Sequence, residues 1–190
     1  MPLSEPAPRK LSHSRVLEIK GYERDDGLWD IEGHLTDIKP FPIGDRSGAE
    51  AKRAPGEPIH DMWLRLTIDD GFEIRAAEAH MDHSPYSICP EVAPNFDRLA
   101  GLKIGPGWNR LVRERLGGVH GCTHLVEMLA QIATAAFQTL WPVRAQRYQK
   151  GSEAVPPPGL INSCHSYRAD GPVVQAKFPS RHRPRPEATA

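Results

Sequence analysis

The stretch DMWLRLTIDDGFEIRAAEAH, residues 61–80, predicts a β-hairpin and through it the fold of the chain. In its first half, apolar and polar residues alternate, which is the pattern of a strand with one buried face. An Asp-Asp-Gly turn at residues 69–71 follows, and its glycine can adopt the left-handed conformation. Pairing across this turn sets Leu66 opposite Ile74, so the apolar side chains of the two strands share a face.

Two further hairpins are predicted on either side of this one. Residues 16–39, VLEIKGYERDDGLWDIEGHLTDIK, carry the same Asp-Asp-Gly turn between alternating segments. Pairing across that turn sets Leu17 opposite Leu35 and Glu18 opposite His34. A third hairpin is expected over residues 160–178, with an Asp-Gly turn.

The remaining patterned segments are helical. A short helix is predicted within residues 107–118, GWNRLVRERLGG, which Pro106 precedes and a Gly-Gly pair ends. A longer helix with an apolar stripe runs from about Thr123 to Leu140, where Trp141-Pro142 is expected to stop it. Strands grouped before helices predict an α+β fold, an antiparallel sheet built from hairpins with two or three helices packed on one face.

The 19 prolines define the expected domain organisation, because they are concentrated outside the patterned segments. Residues 1–14 and 181–190 are predicted to be disordered tails, and His13 and His182 are set aside with them. Residues 15–180 are predicted to form a single α+β domain with two long loops, at 40–57 and 142–159.

Composition excludes several classes of function. The 24 basic and 24 acidic side chains balance, so no nucleic-acid partner is expected. No apolar run is long enough to span a membrane, and the N-terminus lacks the apolar segment of a signal peptide. The three cysteines have no paired spacing, which is typical of thiols in a reducing, cytoplasmic compartment. No phosphate-binding glycine loop or dinucleotide motif occurs, so no nucleotide cofactor is expected.

The first group of candidate site residues lies in GVHGCTHLVEML, residues 118–129. Cys122 directly precedes the long helix, whose N-terminal dipole favours a thiolate, the form that binds metal. His124 and Glu127 are three residues apart and share one face of that helix. Each residue also has a structural interpretation, a buried apolar cysteine or a surface His–Glu pair.

Two further groups lie at the ends of the central hairpin. His60-Asp61 begins one strand, and AHMDHSPYSICP, residues 79–90, follows the other. The register that pairs Leu66 with Ile74 brings His60 opposite His80, and a helix start docked on this end of the sheet would complete a pocket. Cys164-His165 would join it if the third hairpin extends the same sheet.

Roles follow from the chemistry of these side chains. The candidate catalytic residues are His60, His80, Asp61 and Asp82, because imidazole and carboxylate exchange protons near neutral pH. The candidate metal ligands are His60, His80, Cys122 and His124, which together would hold one Zn or Fe ion. The residues expected around them in the pocket are Glu127, His83, His120, Cys89, Trp63, Tyr86 and Trp108.

Three segments resemble a bacterial family of uncharacterised proteins, DUF2889. They are GYERDDGLWDIEGHLTDIK at 21–39, GEPIHDMWLRLTID at 56–69 and GGVHGCTHLVEMLAQIATAAFQT at 117–139. The resemblance extends from about Arg15 to Pro179. It implies that the three segments belong to one family unit, and it implies no activity.

A second resemblance is to the iron–sulfur scaffold proteins of the IscU/NifU type. It rests on IHDMWLRLTIDD at 59–70 and HGCTHLVEMLAQIATAAF at 120–137, and on the order of the elements. In that resemblance Asp61 matches the family's aspartate, Cys122 its third cysteine, and His83 or Cys89 its second. No cysteine precedes Asp61, and the resulting nitrogen and oxygen ligands suit a single Zn or Fe ion better than a cluster.

The sequence therefore predicts an enzyme with a His/Asp/Cys pocket. A single metal ion, or the acid–base groups alone, would cleave a bond in a small substrate, by lyase or hydrolase chemistry. Trp63, Tyr86 and Trp108 suggest an aromatic substrate, and a homo-oligomer is one arrangement open to the chain. The alternatives are an iron–sulfur or sulfur-carrier scaffold module and a non-catalytic regulatory protein.

Overall fold

The computed structural model describes residues 3–44, 52–150, 153–154, 156 and 159–185. The chain divides into two compact units, Met1–Ala136 and Phe137–Ala190. The extent of a domain over residues 15–180 and the disorder of the two tails stay predictions.

The first unit is built on a four-stranded antiparallel sheet in which every strand pairs with its neighbour in sequence. The strands are β1 (Ser14–Glu23), β2 (Trp29–Ile38), β3 (Pro58–Ile68) and β4 (Ile74–His83). Such an order needs only hairpin connections. With the helices that follow, the sheet confirms the predicted α+β class.

The hairpin of β1 and β2 has the predicted register. Leu17 pairs with Leu35 and Glu18 with His34. The turn closes because Gly27 adopts a φ of 82°, a conformation that costs glycine little. Asp26 accepts a hydrogen bond from the backbone N–H of Leu28 and stabilises the turn.

The hairpin of β3 and β4 forms, but the predicted register is wrong. Leu66 pairs with Ala77 instead of Ile74, and His80 lies opposite Trp63 instead of His60. The left-handed residue of the turn is Phe72, with a φ of 67°, and the connection therefore includes residues that the prediction assigned to the strand. Irregularities in pairing at both ends of β3 add to the shift.

Helices follow the sheet in the first unit. They are a 3₁₀ helix (Cys89–Leu99), α1 (Trp108–Leu116), a short 3₁₀ turn (Gly118–His120) and α2 (Thr123–Tyr148), whose residues from Phe137 onward belong to the second unit. The predicted starts of α1 and α2 are confirmed. The predicted stop of α2 at Trp141-Pro142 is wrong, because the helix continues through Pro142 to Tyr148.

The helices of this unit cover one face of the sheet, which we call the helix-covered face. Gly33 of β2 lies directly under α2, where a Cβ atom would come 2.5 Å from Met128 Sδ and 3.0 Å from Ile132 Cδ1. The indole N–H of Trp108 donates to the carbonyl of Leu129 and joins α1 to α2. The fully buried side chains include Ile31, Leu64, Leu66, Phe96, Leu99, Leu116, Leu125 and Leu129.

The second unit contains short elements that the sequence did not predict. They are β5 (Gln149–Lys150), β6 (Glu153–Ala154), a 3₁₀ turn (His165–Tyr167), α3 (Pro172–Lys177) and a last 3₁₀ turn (Pro179–Arg181). The predicted hairpin at 160–178 is wrong, because Pro172 after the Asp-Gly pair begins a helix, a position that suits proline. The predicted loop at 142–159 is wrong in its first part, which is helical.

Within the described ranges, no helix combines the length and the apolar character that crossing a bilayer requires.

Candidate functional site

Buried and half-buried residues alternate along β2, and one of the buried positions, where an apolar side chain is expected, holds a carboxylate. Trp29, Ile31, Gly33 and Leu35 occupy every second position and are buried. Asp37 is the next position on the same face, and its side chain is only 3% exposed. It therefore lies at the end of the helix-covered face, next to the start of α2.

Asp37 receives four hydrogen bonds from three side chains. Arg15 of β1 donates from Nε to Oδ1 at 2.8 Å and from Nη2 to Oδ2 at 2.7 Å. His13, just before β1, bonds Oδ1 at 2.8 Å, and His60 of β3 bonds Oδ2 through Nδ1 at 2.9 Å. Arg15, Asp37 and His60 form one row across three neighbouring strands, because Asp37 pairs with both of the others.

These contacts keep the carboxylate of Asp37 ionised. Burial alone would raise its pKa, but the hydrogen bonds from Arg15, His60 and His13 and the charge of Arg15 outweigh burial. The net result is a pKa well below the usual range of an aspartate. A carboxylate held in this state can only accept hydrogen bonds.

His124 brings a second imidazole to the same place from the first turn of α2. Its ring centroid lies 3.9 Å from that of His60, with the ring planes tilted by 38°. Its Nε2 is 4.0 Å from Asp37 Oδ2. We call the five residues His13, Arg15, Asp37, His60 and His124 the Asp37 cluster.

The surroundings of His124 favour its neutral form. Burial lowers its pKa, and the charges of His60 and Arg15 lower it further. Asp37 and Glu127 act in the opposite direction without reversing the result. Cys122 places its sulfur 3.7 Å from Nδ1 of His124. Glu127, predicted to lie in the pocket, is an exposed side chain 3.8 Å from Arg15 Nη1.

The other predicted site residues of the hairpin lie on the opposite, open face of the sheet. Asp61 bonds Nε2 of His34 at 2.6 Å, and the His34 ring stacks on Trp63 with centroids 3.6 Å apart. The indole N–H of Trp63 donates to Asp82, which also bonds His80. We call His34, Asp61, Trp63, His80 and Asp82 the Trp63 cluster.

The predicted site is thus divided between two faces. His60 and His124 meet as expected, but His80 does not face His60. The cause is the shift in register, since successive residues of a strand point to opposite sides. Asp61 and Asp82 follow the same rule and belong with His80.

The remaining candidates lie outside the Asp37 cluster. Trp108 is a core residue, 6% exposed, and does not line a pocket. Tyr86 is exposed, as are His83 and His120, and Cys89 begins the first 3₁₀ helix. The three aromatic residues therefore give no common wall for an aromatic substrate. Cys164 is exposed, and His165 begins the 3₁₀ turn beside it in the second unit.

Sequence reasoning missed His13, Arg15 and Asp37. A signal for Asp37 was available, because it follows four residues of the buried register in β2. A charged side chain at such a position is almost never buried without partners. Arg15 could then have been found as its partner through the register of β1 and β2, which the sequence predicts correctly.

Part of the Asp37 cluster has the composition of a metal site. Asp37, His60 and His124 each offer one ligand atom, and these atoms all lie within 4.8 Å of one another. Among the residues that the structure describes, one group of three potential metal ligands is found. It contains neither His80 nor Cys122.

Comparisons with known proteins identify one relationship. A family model described as a protein of unknown function (DUF2889) matches residues 13–138. This span contains the complete Asp37 cluster and ends well before the predicted limit at Pro179. No curated protein and no solved structure matches the chain. The resemblance to iron–sulfur scaffold proteins is not borne out.

Proposed function

Because the chain belongs to the DUF2889 family, whose description carries no activity, we propose a function from its own side chains. The Asp37 cluster is the site of an enzyme that breaks a bond in a small substrate by proton transfer. The chemistry is of the lyase or hydrolase type and needs no nucleotide. We place this enzyme in the cytoplasm, on the basis of three cysteines without paired spacing.

The contact between Asp37 and His60 carries this proposal. An ionised carboxylate accepts hydrogen bonds, so Nδ1 of His60 bears the proton in their 2.9 Å contact. The lone pair of His60 is then on Nε2, where it can accept a proton from a substrate. A carboxylate that fixes the tautomer of a histidine base also stabilises the imidazolium that forms.

Arg15 gives this pair its rigidity. Its two hydrogen bonds hold the carboxylate plane of Asp37, and therefore the ring of His60 that bonds it. Rigid placement supports catalysis, because a base displaced by about 1 Å loses much of its effect. A fully buried network of this kind would only stabilise the fold. The side chain of His60, however, is 14% exposed, so a substrate in solvent can reach it.

His124 supplies the second group that such a reaction needs. A neutral imidazole retains one N–H, which can be donated to a substrate oxygen on which negative charge develops. The lowered pKa of His124 favours that neutral form. His60 then accepts the proton while His124 stabilises the oxygen.

The first prediction tests this assignment. His60→Gln preserves an amide donor for Asp37 but cannot accept a proton at neutral pH. We expect proton transfer to fall by about 10²–10⁴-fold, the usual contribution of a general base. The measurement is hydrogen–deuterium exchange into small carbonyl and hydroxyl compounds in D₂O, followed by NMR, with product formation as the second readout.

His34→Gln is the matched control. His34 also bonds an aspartate across neighbouring strands, but on the open face of the sheet. We expect the His34 variant to retain full activity and both variants to keep the wild-type circular dichroism. A substrate that both variants convert at the wild-type rate would contradict the proposal.

A further inference from the structure

We propose that the Asp37 cluster binds one divalent transition-metal ion. Its ligands are a carboxylate oxygen of Asp37 and one ring nitrogen each of His60 and His124. The proposed function needs only the imidazoles, so this inference goes beyond it. The ion is of the Zn²⁺ or Fe²⁺ class.

The distances between the ligand atoms are close to those of a metal site. With bonds of about 2.0–2.1 Å and tetrahedral angles, neighbouring ligand atoms are about 3.4 Å apart. Asp37 Oδ2 is 2.9 Å from His60 Nδ1 and 4.0 Å from His124 Nε2. No pair in the group exceeds 4.8 Å. Side-chain shifts of under about 1 Å would close the site around an ion.

The donor set selects the type of metal. Two imidazoles and one carboxylate suit Zn²⁺ and Fe²⁺, whereas Ca²⁺ and Mg²⁺ prefer oxygen ligands alone. The thiol of Cys122 contacts His124 at 3.7 Å but does not belong to the group of three. The ligands are therefore nitrogen and oxygen without sulfur. Three protein ligands leave at least one position for water or substrate.

The residues around the ligands would hold them in place. Ligating carboxylates in proteins are usually hydrogen-bonded by further side chains, and Arg15 and His13 supply such bonds to Asp37. The three ligands come from β2, β3 and α2, so the fold of the first unit fixes their separation. The positive charge of Arg15 opposes a cation, but its side chain is 38% exposed and partly screened by water.

The consequence for catalysis rests on the proposed function. A bound Zn²⁺ lowers the pKa of its water to about 7 and so provides a base at neutral pH. A ring nitrogen needs its lone pair to bind an ion, so the proton that Nδ1 of His60 carries in the metal-free site would move to Nε2. His60 would then be a ligand of the ion, and the water bound to the ion would replace it as the base. The same three residues would remain necessary, but activity would depend on the ion.

The test is a titration of the full chain, without an affinity tag, after treatment with a chelator. Isothermal calorimetry with Zn²⁺ and absorption spectroscopy with Co²⁺ should each give one ion per chain. We expect His60→Ala and His124→Ala to weaken binding by more than about 100-fold, since removing even a supporting partner costs 10–100-fold. His34→Gln and Cys122→Ser should bind as the wild type does.

Each other outcome overturns the inference. Unchanged binding in both the His60 and the His124 variants would identify an adventitious surface ion. A thiolate-to-Co²⁺ charge-transfer band that disappears in Cys122→Ser would identify a different ligand set. Binding is measured without substrate, so its absence would leave the proposed function standing. Full activity after removal of the ion would overturn the role given to the ion in catalysis and leave the proposed function standing.

Discussion

At the scale of the residue, Asp37 determines the candidate site. It is the one charged side chain, nearly fully buried, among the buried positions of β2. Leaving such a group buried is costly unless donors surround it. Arg15, His13 and His60 are those donors, and they are brought together by the carboxylate. The need to satisfy one buried charge therefore also positions the proposed base.

Replacing this carboxylate should destabilise the protein. Asp37→Asn removes the negative charge and replaces one of the two acceptor oxygens by an NH₂ group, which cannot accept a hydrogen bond from Arg15. We expect the free energy of unfolding to fall by about 2–3 kcal/mol, on the scale of hydrogen bonds to charged groups. The measurement is urea denaturation at pH 7. Asp82→Asn is the control, because the exposed pair of Asp82 with His80 should contribute less than about 1 kcal/mol. Equal losses in the two variants would contradict the role of Asp37.

Individual site residues were only partly predictable. His60 and His124 were found because histidines beside a strand start and a helix start are visible in the sequence. His80 was assigned wrongly because its place depends on a register, and a slip by an odd number of residues changes the face. Arg15 and His13 were missed because each is unremarkable until its partner, Asp37, is recognised as buried.

At the scale of the element, the two turns of the sheet explain why one register was predictable and the other was not. In the first turn Gly27 takes the left-handed conformation, as the pattern predicts. In the second turn Asp69 accepts hydrogen bonds from the backbone N–H groups of Gly71 and Glu73. This longer loop places Phe72, instead of glycine, in the left-handed conformation. The hydrogen bonds of Asp69 and the flexibility of Gly71 therefore favour different turn conformations. Residue propensities alone do not predict which of the two forms.

The second turn should give the stability of the protein a dependence on pH. Burial opposes ionisation of Asp69, but bonds from the Glu73 and Gly71 N–H groups and from Arg75 lower its pKa below the usual value. A group with a lowered pKa stabilises the fold above its unfolded pKa of about 3.9 and loses this effect as the pH falls. Asp69→Ala should therefore cost about 1–2 kcal/mol at pH 7 and less at pH 3.

Urea denaturation of both proteins at the two pH values measures this difference. Asp25→Ala, in the exposed part of the first turn, serves as the control and should cost little at either pH. A gap between wild type and the Asp69 variant that is constant from pH 7 to pH 3 would show that its ionisation plays no part.

At the scale of the whole molecule, the α+β class followed from the sequence because it depends on long, strongly periodic segments. The strands of the sheet and the first turns of α1 and α2 lie in such segments. The second unit was predicted poorly because its elements are short, from two to six residues apart from the end of α2. Elements of that length have too few positions for a period to be recognised. Pro142 within α2 misled the prediction in the same region, since proline usually ends a helix.

The contact between the sheet and α2 should be sensitive to a single added methyl group. Gly33→Ala would place a Cβ atom against Met128 and Ile132, and we expect a loss of about 1–3 kcal/mol from overpacking. Thermal and urea denaturation measure it. Gly105→Ala is the control, because a Cβ atom there has no neighbour within 4 Å. If the Gly33 variant is as stable as the Gly105 variant, the helix and the sheet are less closely packed than the structure indicates.

The order of the elements along the chain has a consequence for synthesis on the ribosome. The sheet consists of consecutive hairpins and is complete in sequence at His83, whereas α2, which covers it, begins at Thr123. At about 5–20 residues per second, the roughly 40 intervening residues take about 2–8 s to emerge. During that interval the nascent chain exposes the part of the sheet that α2 later covers. Such an apolar surface is bound by chaperones and aggregates at high concentration. The nascent protein is therefore most prone to aggregation before its candidate site can form. His124 is synthesised with α2, the helix that ends the exposure of this surface.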